Sequence, residues 1–244
     1  MNSRRKFLLS GTMASTALLT AKPFTSLANR FSPLTGFSIN EHQLTLVHTG
    51  VQHNSGNNQA IRQIADLKKQ TGNLVLLHAG QTIRENALQL GYDATLQPKY
   101  CAAASSTNYK IVYKGDIKIG IITASTLQHS TIKHTNALAG FLKQEKHCNI
   151  VICLSQLGFK NKTTVDDLTL AAQSEHLDII IGGNPENHTA NPVVAQNRNK
   201  AEVLIHADAG NGFAFGNIEI NFDERGNKRS IAINNLQTRT TGNS

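Results

Sequence analysis

The residues able to do chemistry in this chain cluster where apolar runs give out. Leu44–His48 is an apolar run that passes through Thr49 into a polar loop carrying His53. The run Asn73–His78 ends in Ala79-Gly80-Gln81, and Asn149–Ser155 ends before Gln156 and Gly158. Asp178–Ile181 ends at Gly182-Gly183, ahead of Asn184, Glu186 and His188. Imidazoles and carboxylates brought together at strand ends are what metal-assisted hydrolysis and general acid–base work require. Most of the individual histidines have a plainer reading. His78 and His206 sit in or just past apolar strands and read as core or strand-end histidines, and His188 reads as solvated. Asp166-Asp167 opens a helical pattern, which fits N-terminal capping and complementing the helix dipole rather than a catalytic pair. Ser155 lacks the strand–turn–helix context of a nucleophile elbow.

The elements that must position these residues follow from hydrophobic periodicity. Gln59–Gln70 has apolar residues at helical spacing, Lys68-Lys69 in its last turn and Gly72 just beyond. Short helices are expected at Glu85–Leu90, Ala137–Lys146 and Val165–Ser174. Tyr109–Lys114 and Ile117–Thr123 read as strands joined at Gly115-Asp116. Later strands are expected at Val203–Ala207, Ile218–Phe222 and Ser230–Ile233, with a turn at Glu224–Asn227. Strands alternating with helices argue a layered α/β architecture, in which polar chemistry gathers at the carboxyl ends of strands.

The chain has 244 residues, 39% hydrophobic and 16% charged, with no Trp and 5% aromatics, so the core rests on aliphatic side chains. Residues 1–28 read as an export signal: Arg4-Arg5 resembles a twin-arginine pair, Leu8–Ala21 is a weakly apolar stretch, and Ser26-Leu27-Ala28 resembles a cleavage site. The apolar stretch is too short and too polar for a membrane span, which needs about 20 strongly apolar residues. The chain is then expected to be exported to the periplasm, with no membrane span after signal removal. Residues 29–42 read as a linker, 43–236 as one domain and 237–244 as a tail. The formal charge is +8, and removing the four cations of the leader leaves 20 cations against 16 acids, a net +4. That charge is spread out and accompanied by no nucleic-acid motif, so no nucleic-acid partner is expected. Three cysteines, Cys101, Cys148 and Cys153, argue against a disulfide framework.

Seven segments, in order, resemble the periplasmic 5'-nucleotidase/calcineurin-like metallophosphatase family. These are His48-Thr49 with His53, the run LVLLHAGQ at Leu74–Gln81, and Leu90-Gly91-Tyr92-Asp93-Ala94. Lys118–Ile122, IVICLSQLG at Ile150–Gly158 and LDIIIGG at Leu177–Gly183 complete the series, and Asp208–Gly216 is similar to the family's glycine-rich closing turn. The resemblance implies an α/β fold, a four-layer α/β/β/α sandwich of two mixed sheets flanked by helices. It implies a metal-dependent phosphoric monoester hydrolase with two divalent ions, Mn, Zn or Mg. Family members of full length carry a second, nucleotide-recognising domain, which the resemblance makes a possible separately encoded partner.

Carried across position by position, most of the family's metal ligands are replaced. The first aspartate is Val51, the first histidine is retained as His53, and the bridging aspartate is Gln81. The catalytic histidine falls on Lys99, two further histidine positions are Gln156 and Asn184, and the last ligand position is Glu186. Two dications about 4 Å apart repel strongly and rely on carboxylates to offset that repulsion. This set offers one carboxylate. The expectation is therefore a catalytically degenerate domain with a binding or partner role. The alternatives are an active phosphoesterase with an unusual ligand set and a periplasmic anion-binding module using Lys99.

Overall fold

The computed structural model describes residues 42–50, 58–80, 88–96, 109–124, 131–161, 165–184, 189, 191–207 and 215–234. The leader, nearly all of the linker, the first half of the expected helix at Glu85–Leu90 and the tail lie outside these residues.

Two mixed sheets face each other. In the first, β1 (Gln43–Thr49) is flanked by β2 (Leu74–His78), parallel, and β10 (Gly216–Phe222), antiparallel. A two-residue β3 (Ala94–Thr95) extends it beyond β2, and β11 (Lys228–Ile233) beyond β10. The second sheet has six strands. These are β4 (Tyr109–Lys114), β5 (Ile117–Ala124), β6 (Ile150–Ser155), β7 (Ile179–Gly182), β8 (Val193–Gln196) and β9 (Glu202–Ala207). They are ordered β4-β5-β6-β7-β9-β8, with β5, β6, β7 and β9 parallel.

Side-chain alternation sorts the core into three layers. Leu44 and Leu46 of β1 meet Ile119, Ile152 and Ile181 between the sheets. The opposite parity, with Val47 and Leu76, packs on Ile64 of α1 (Asn58–Gln70). Behind the second sheet, Val151, Cys153 and Ile180 pack on α2 (Thr131–Gly140), its π-helical continuation Phe141–Glu145, and α3 (Asp167–Gln173). Each such side chain contributes about 1.5–3 kcal/mol when fully buried. The result is the four-layer α/β/β/α sandwich that the resemblance implies.

Ion pairs hold the margins. Asp93 binds Lys114 at 3.0 Å and accepts from the Leu76 N–H, while Lys110 donates to its carbonyl. This joins β4 of one sheet to the β2–β3 edge of the other. Across the second sheet, just before β7, buried Asp178 accepts from Lys143, Lys228 and the Val151 N–H. Burial works to raise its carboxyl, but Lys228 and Lys143 outweigh this and hold it below the usual range.

Two details differ from the sequence expectation. The second helix starts at Thr131 rather than Ala137, because Thr135 is buried and Ile132 packs on the core despite polar neighbours. The strands β3 and β8 went unforeseen. Asp166 caps the third helix and Asp167 lies in its first turn, as the capping reading expects, and both are buried.

Candidate functional site

The parallel strands carry their chains toward one edge of the sandwich. At that edge the backbone ladder continues past the strand ends. The Ala79 N–H donates to Thr49 O, Leu96 N–H to His78 O, Gln156 N–H to Ala124 O and Gly183 N–H to Ser155 O. The ends of β1, β2 and β3 are thereby fixed side by side in one sheet, and those of β5, β6 and β7 in the other.

The two sheets approach closely there. A Cβ placed on Gly183 would lie 1.6 Å from the carbonyl oxygen of Ala79, so the loop after β7 lies directly on the loop after β2. Only a residue without a side chain fits. At Gly216 a Cβ would fall 2.1 Å from His48 Nε2.

Three buried polar clusters occupy this edge, one per layer boundary. His48 has the parity of Leu44 and Leu46 and therefore faces the other sheet. His206 has the parity of Leu204 and faces it in turn. Their rings meet edge-on, with His48 Nε2 2.6 Å from His206 Nδ1. Among the described residues His48 Nδ1 has no hydrogen-bond partner. Burial drives both imidazoles toward the neutral form: His206 is lowered to about 4, and His48 is lowered well below its ordinary value, with the charge of His206 adding to the effect. On the α1 side, Thr49 Oγ1 lies 2.7 Å from His78 Nδ1 and donates to the Tyr92 hydroxyl at 3.1 Å. On the α3 side, Ser155 Oγ donates to Asp167 Oδ1 and accepts from the Leu157 N–H. Burial pushes the Asp167 carboxyl up to about 7; the bond from Ser155 opposes that shift and Asp166 adds to it. Asp166 is the helix cap, accepting from the Thr169 and Asn161 N–H groups.

Of the seven sequence-derived site residues, Gln156 and Asn184 are described, and they lie together: Asn184 Nδ2 is 3.4 Å from Gln156 O. Val51, His53, Gln81, Lys99 and Glu186 lie outside the described residues, as do residues 208–214 of the closing turn. The His48–His206 and Ser155–Asp167 pairs were not foreseen. The available signal was strand parity, which puts each histidine on an apolar inward face where an imidazole needs a polar partner.

These donors do not suit a two-metal centre. Gln156 and Asn184 offer amides, His48 is committed to His206, and the Asp167 carboxyl is committed to Ser155. Among the described residues no three of His, Cys, Asp and Glu come together as metal ligands would. No helix among them is long and apolar enough to cross a membrane.

No protein-family model matches the chain, and no curated protein does. Solved structures do. The 5'-nucleotidase precursor of Thermus thermophilus is similar with a TM-score of 0.60 and 20% identity, over 80% of this chain and 54% of that one. The NAD nucleotidase of Haemophilus influenzae matches with a TM-score of 0.60 and 15% identity, over 79% and 49%. A calcineurin-like phosphoesterase of Bacillus subtilis matches with a TM-score of 0.53 and 14% identity, over 79% and 90%. The chain spans about half the length of the two nucleotidases. It is a divergent domain with the metallophosphatase fold of 5'-nucleotidases and calcineurin-like phosphoesterases.

Proposed function

We propose that this chain is an exported 5'-nucleotidase-like domain that has lost its two-metal centre and serves as a binding or partner protein. The observation that carries the reading is the chemistry of the donor set. The amides of Gln156 and Asn184 stand where the family resemblance places imidazoles; nearby, His48 is bonded to His206, His78 to Thr49 and the Asp167 carboxyl to Ser155. The sequence adds Val51 and Gln81 at two aspartate positions and Lys99 at the catalytic histidine. Without metals, no group in this set activates water or stabilises the charge of a phosphoryl transition state. A separately encoded nucleotide-recognising domain is the partner this reading names, on the family resemblance alone.

The test is turnover. Purified mature protein is expected to hydrolyse nucleoside monophosphates at no more than background, with or without added Mn²⁺, Zn²⁺ or Mg²⁺. Hydrolysis that a chelator abolishes and an added metal restores would favour the active phosphoesterase with an unusual ligand set.

Export rests on Arg4 and Arg5. Exchanging both for lysine keeps the charge and removes the pair that the twin-arginine route reads. Precursor is expected to accumulate in the cytoplasm. Unimpaired translocation of that variant would assign the leader to the general secretory route.

A further inference from the structure

The contact between His48 and His206 crosses from one sheet to the other inside the sandwich. His48 lies on β1 and His206 on β9, 158 residues apart in the chain. Both side chains are buried, and the pair sits at the same strand ends as Gln156 and Asn184. We infer that this contact is an acid-released latch: two neutral imidazoles hold the carboxyl end of β1 to that of β9, and their joint protonation parts the sheets at the edge where the candidate site lies. The latch is independent of the proposed loss of metal, since it uses none of the residues carried over as ligands.

The chemistry of the pair sets its response. One neutral imidazole donates and the other accepts across the 2.6 Å gap. A first proton can still be shared, because an imidazolium donates to an imidazole. A second proton turns both rings into donors only, leaves no acceptor between them and places two like charges in contact. Burial makes each of those charges costly.

No described neighbour offsets them. β1 has no other ionisable side chain. β2 brings His78, which is bonded to Thr49 on the opposite face. On β10, Glu219 pairs in register with Thr45, three positions from the Gly216 that faces His48. The segments of β7 and β8 carry no ionisable side chain, and Glu202 is at the far end of β9. On α3, Asp166 is spent as the helix cap. Asp167 stands beside Gly182 and takes up its own proton below about 7, so it is neutral in the acid range. Asp178 is at the opposite strand ends, held by Lys143 and Lys228. The sign follows: both folded-state values lie below the ordinary 6.5, so the contact is fully stabilising above that pH and is lost as pH falls toward about 4.

Amide hydrogen exchange on the mature chain reads this directly. Corrected for intrinsic rates, exchange at Val47–Thr49 and at Leu204–His206 is expected to accelerate about tenfold or more between about pH 7 and pH 4.5, while Ile119–Ile121 in β5 stays protected. The double variant His48→Gln, His206→Gln can keep a hydrogen bond without titrating, and it should lose the step. A step that persists in the double variant, or no step in the unmodified protein, would overturn the latch. Should the variant fail to fold, imidazole NMR titration of the unmodified chain decides. Both rings are expected to stay neutral through the ordinary histidine range and to protonate together as the two strand ends open. Independent titration of either ring near its ordinary value, with exchange unchanged, would refute it.

Discussion

Gly183→Ala should destabilise the protein by more than about 4 kcal/mol or prevent folding. The added Cβ would sit 1.6 Å from Ala79 O and 2.5 Å from Ala79 C, both backbone atoms of the facing sheet. A flexible side chain could swing aside; the backbone of a buried residue whose N–H is held by Thr49 O cannot. The Gly183 N–H is itself held by Ser155 O at 2.7 Å, so retreat on that side breaks a second ladder. Relief requires the two sheets to separate at this edge, which opens voids in the layer of Leu77, Leu154 and Ile181. Urea titration of the variant measures the loss. A change under about 1 kcal/mol would mean that the loops after β2 and β7 do not meet in this way.

The second large effect has the opposite sign. Asp167→Asn should stabilise the protein by about 2–4 kcal/mol at alkaline pH and leave it unchanged in acid. The folded-state carboxyl is raised from 3.8 to about 7 by burial. Between those values the folded chain holds a proton that the unfolded chain has released, so stability falls as pH rises through that window. Above about 7 the carboxyl is ionised in the folded and the unfolded chain alike, so the cost no longer changes with pH. Asparagine keeps an acceptor for the Ser155 hydroxyl and has no charge to bury. Thermal melts of both proteins across the pH range test this. If the two curves run parallel from acid to alkaline pH, Asp167 is ionised at no cost and its environment is more polar than the structure shows.

Much of the architecture could be read from apolar alternation alone. Leu44, Leu46 and the run from Ile150 to Leu154 announce strands buried on both faces, and the segments similar to the phosphatase family fix their order. The two strands that escaped, β3 and β8, are an edge pair of residues and a half-exposed VVAQ, where neither length nor pattern separates strand from loop. The early start of α2 was hidden by polar residues that its inward face nonetheless buries. At the site, the adjacency of Gln156 and Asn184 followed from strand order. The pairings did not. Parity tells that His48 faces inward but not that residue 206 faces it, because that depends on which strand of the second sheet lies opposite β1. Likewise the pattern marked Asp167 as a first-turn acid but not its bond with Ser155, which depends on α3 docking at the end of β6.

The account turns on whether the strand-end donors can hold two dications. Gln156 and Asn184 are neutral, Val51 has no donor atom, Gln81 cannot bridge with charge, and Lys99 adds a like charge. Losses among direct ligands should compound beyond the 10–100-fold in affinity, by order of magnitude, that outer-shell changes cost. The measurement is elemental analysis of the purified mature protein after equilibration with Mn²⁺ and Zn²⁺ and removal of free metal. The expected result is no stoichiometric metal, well below one ion per chain. About two tightly held ions per chain, removable only by chelator, would contradict the loss of the centre.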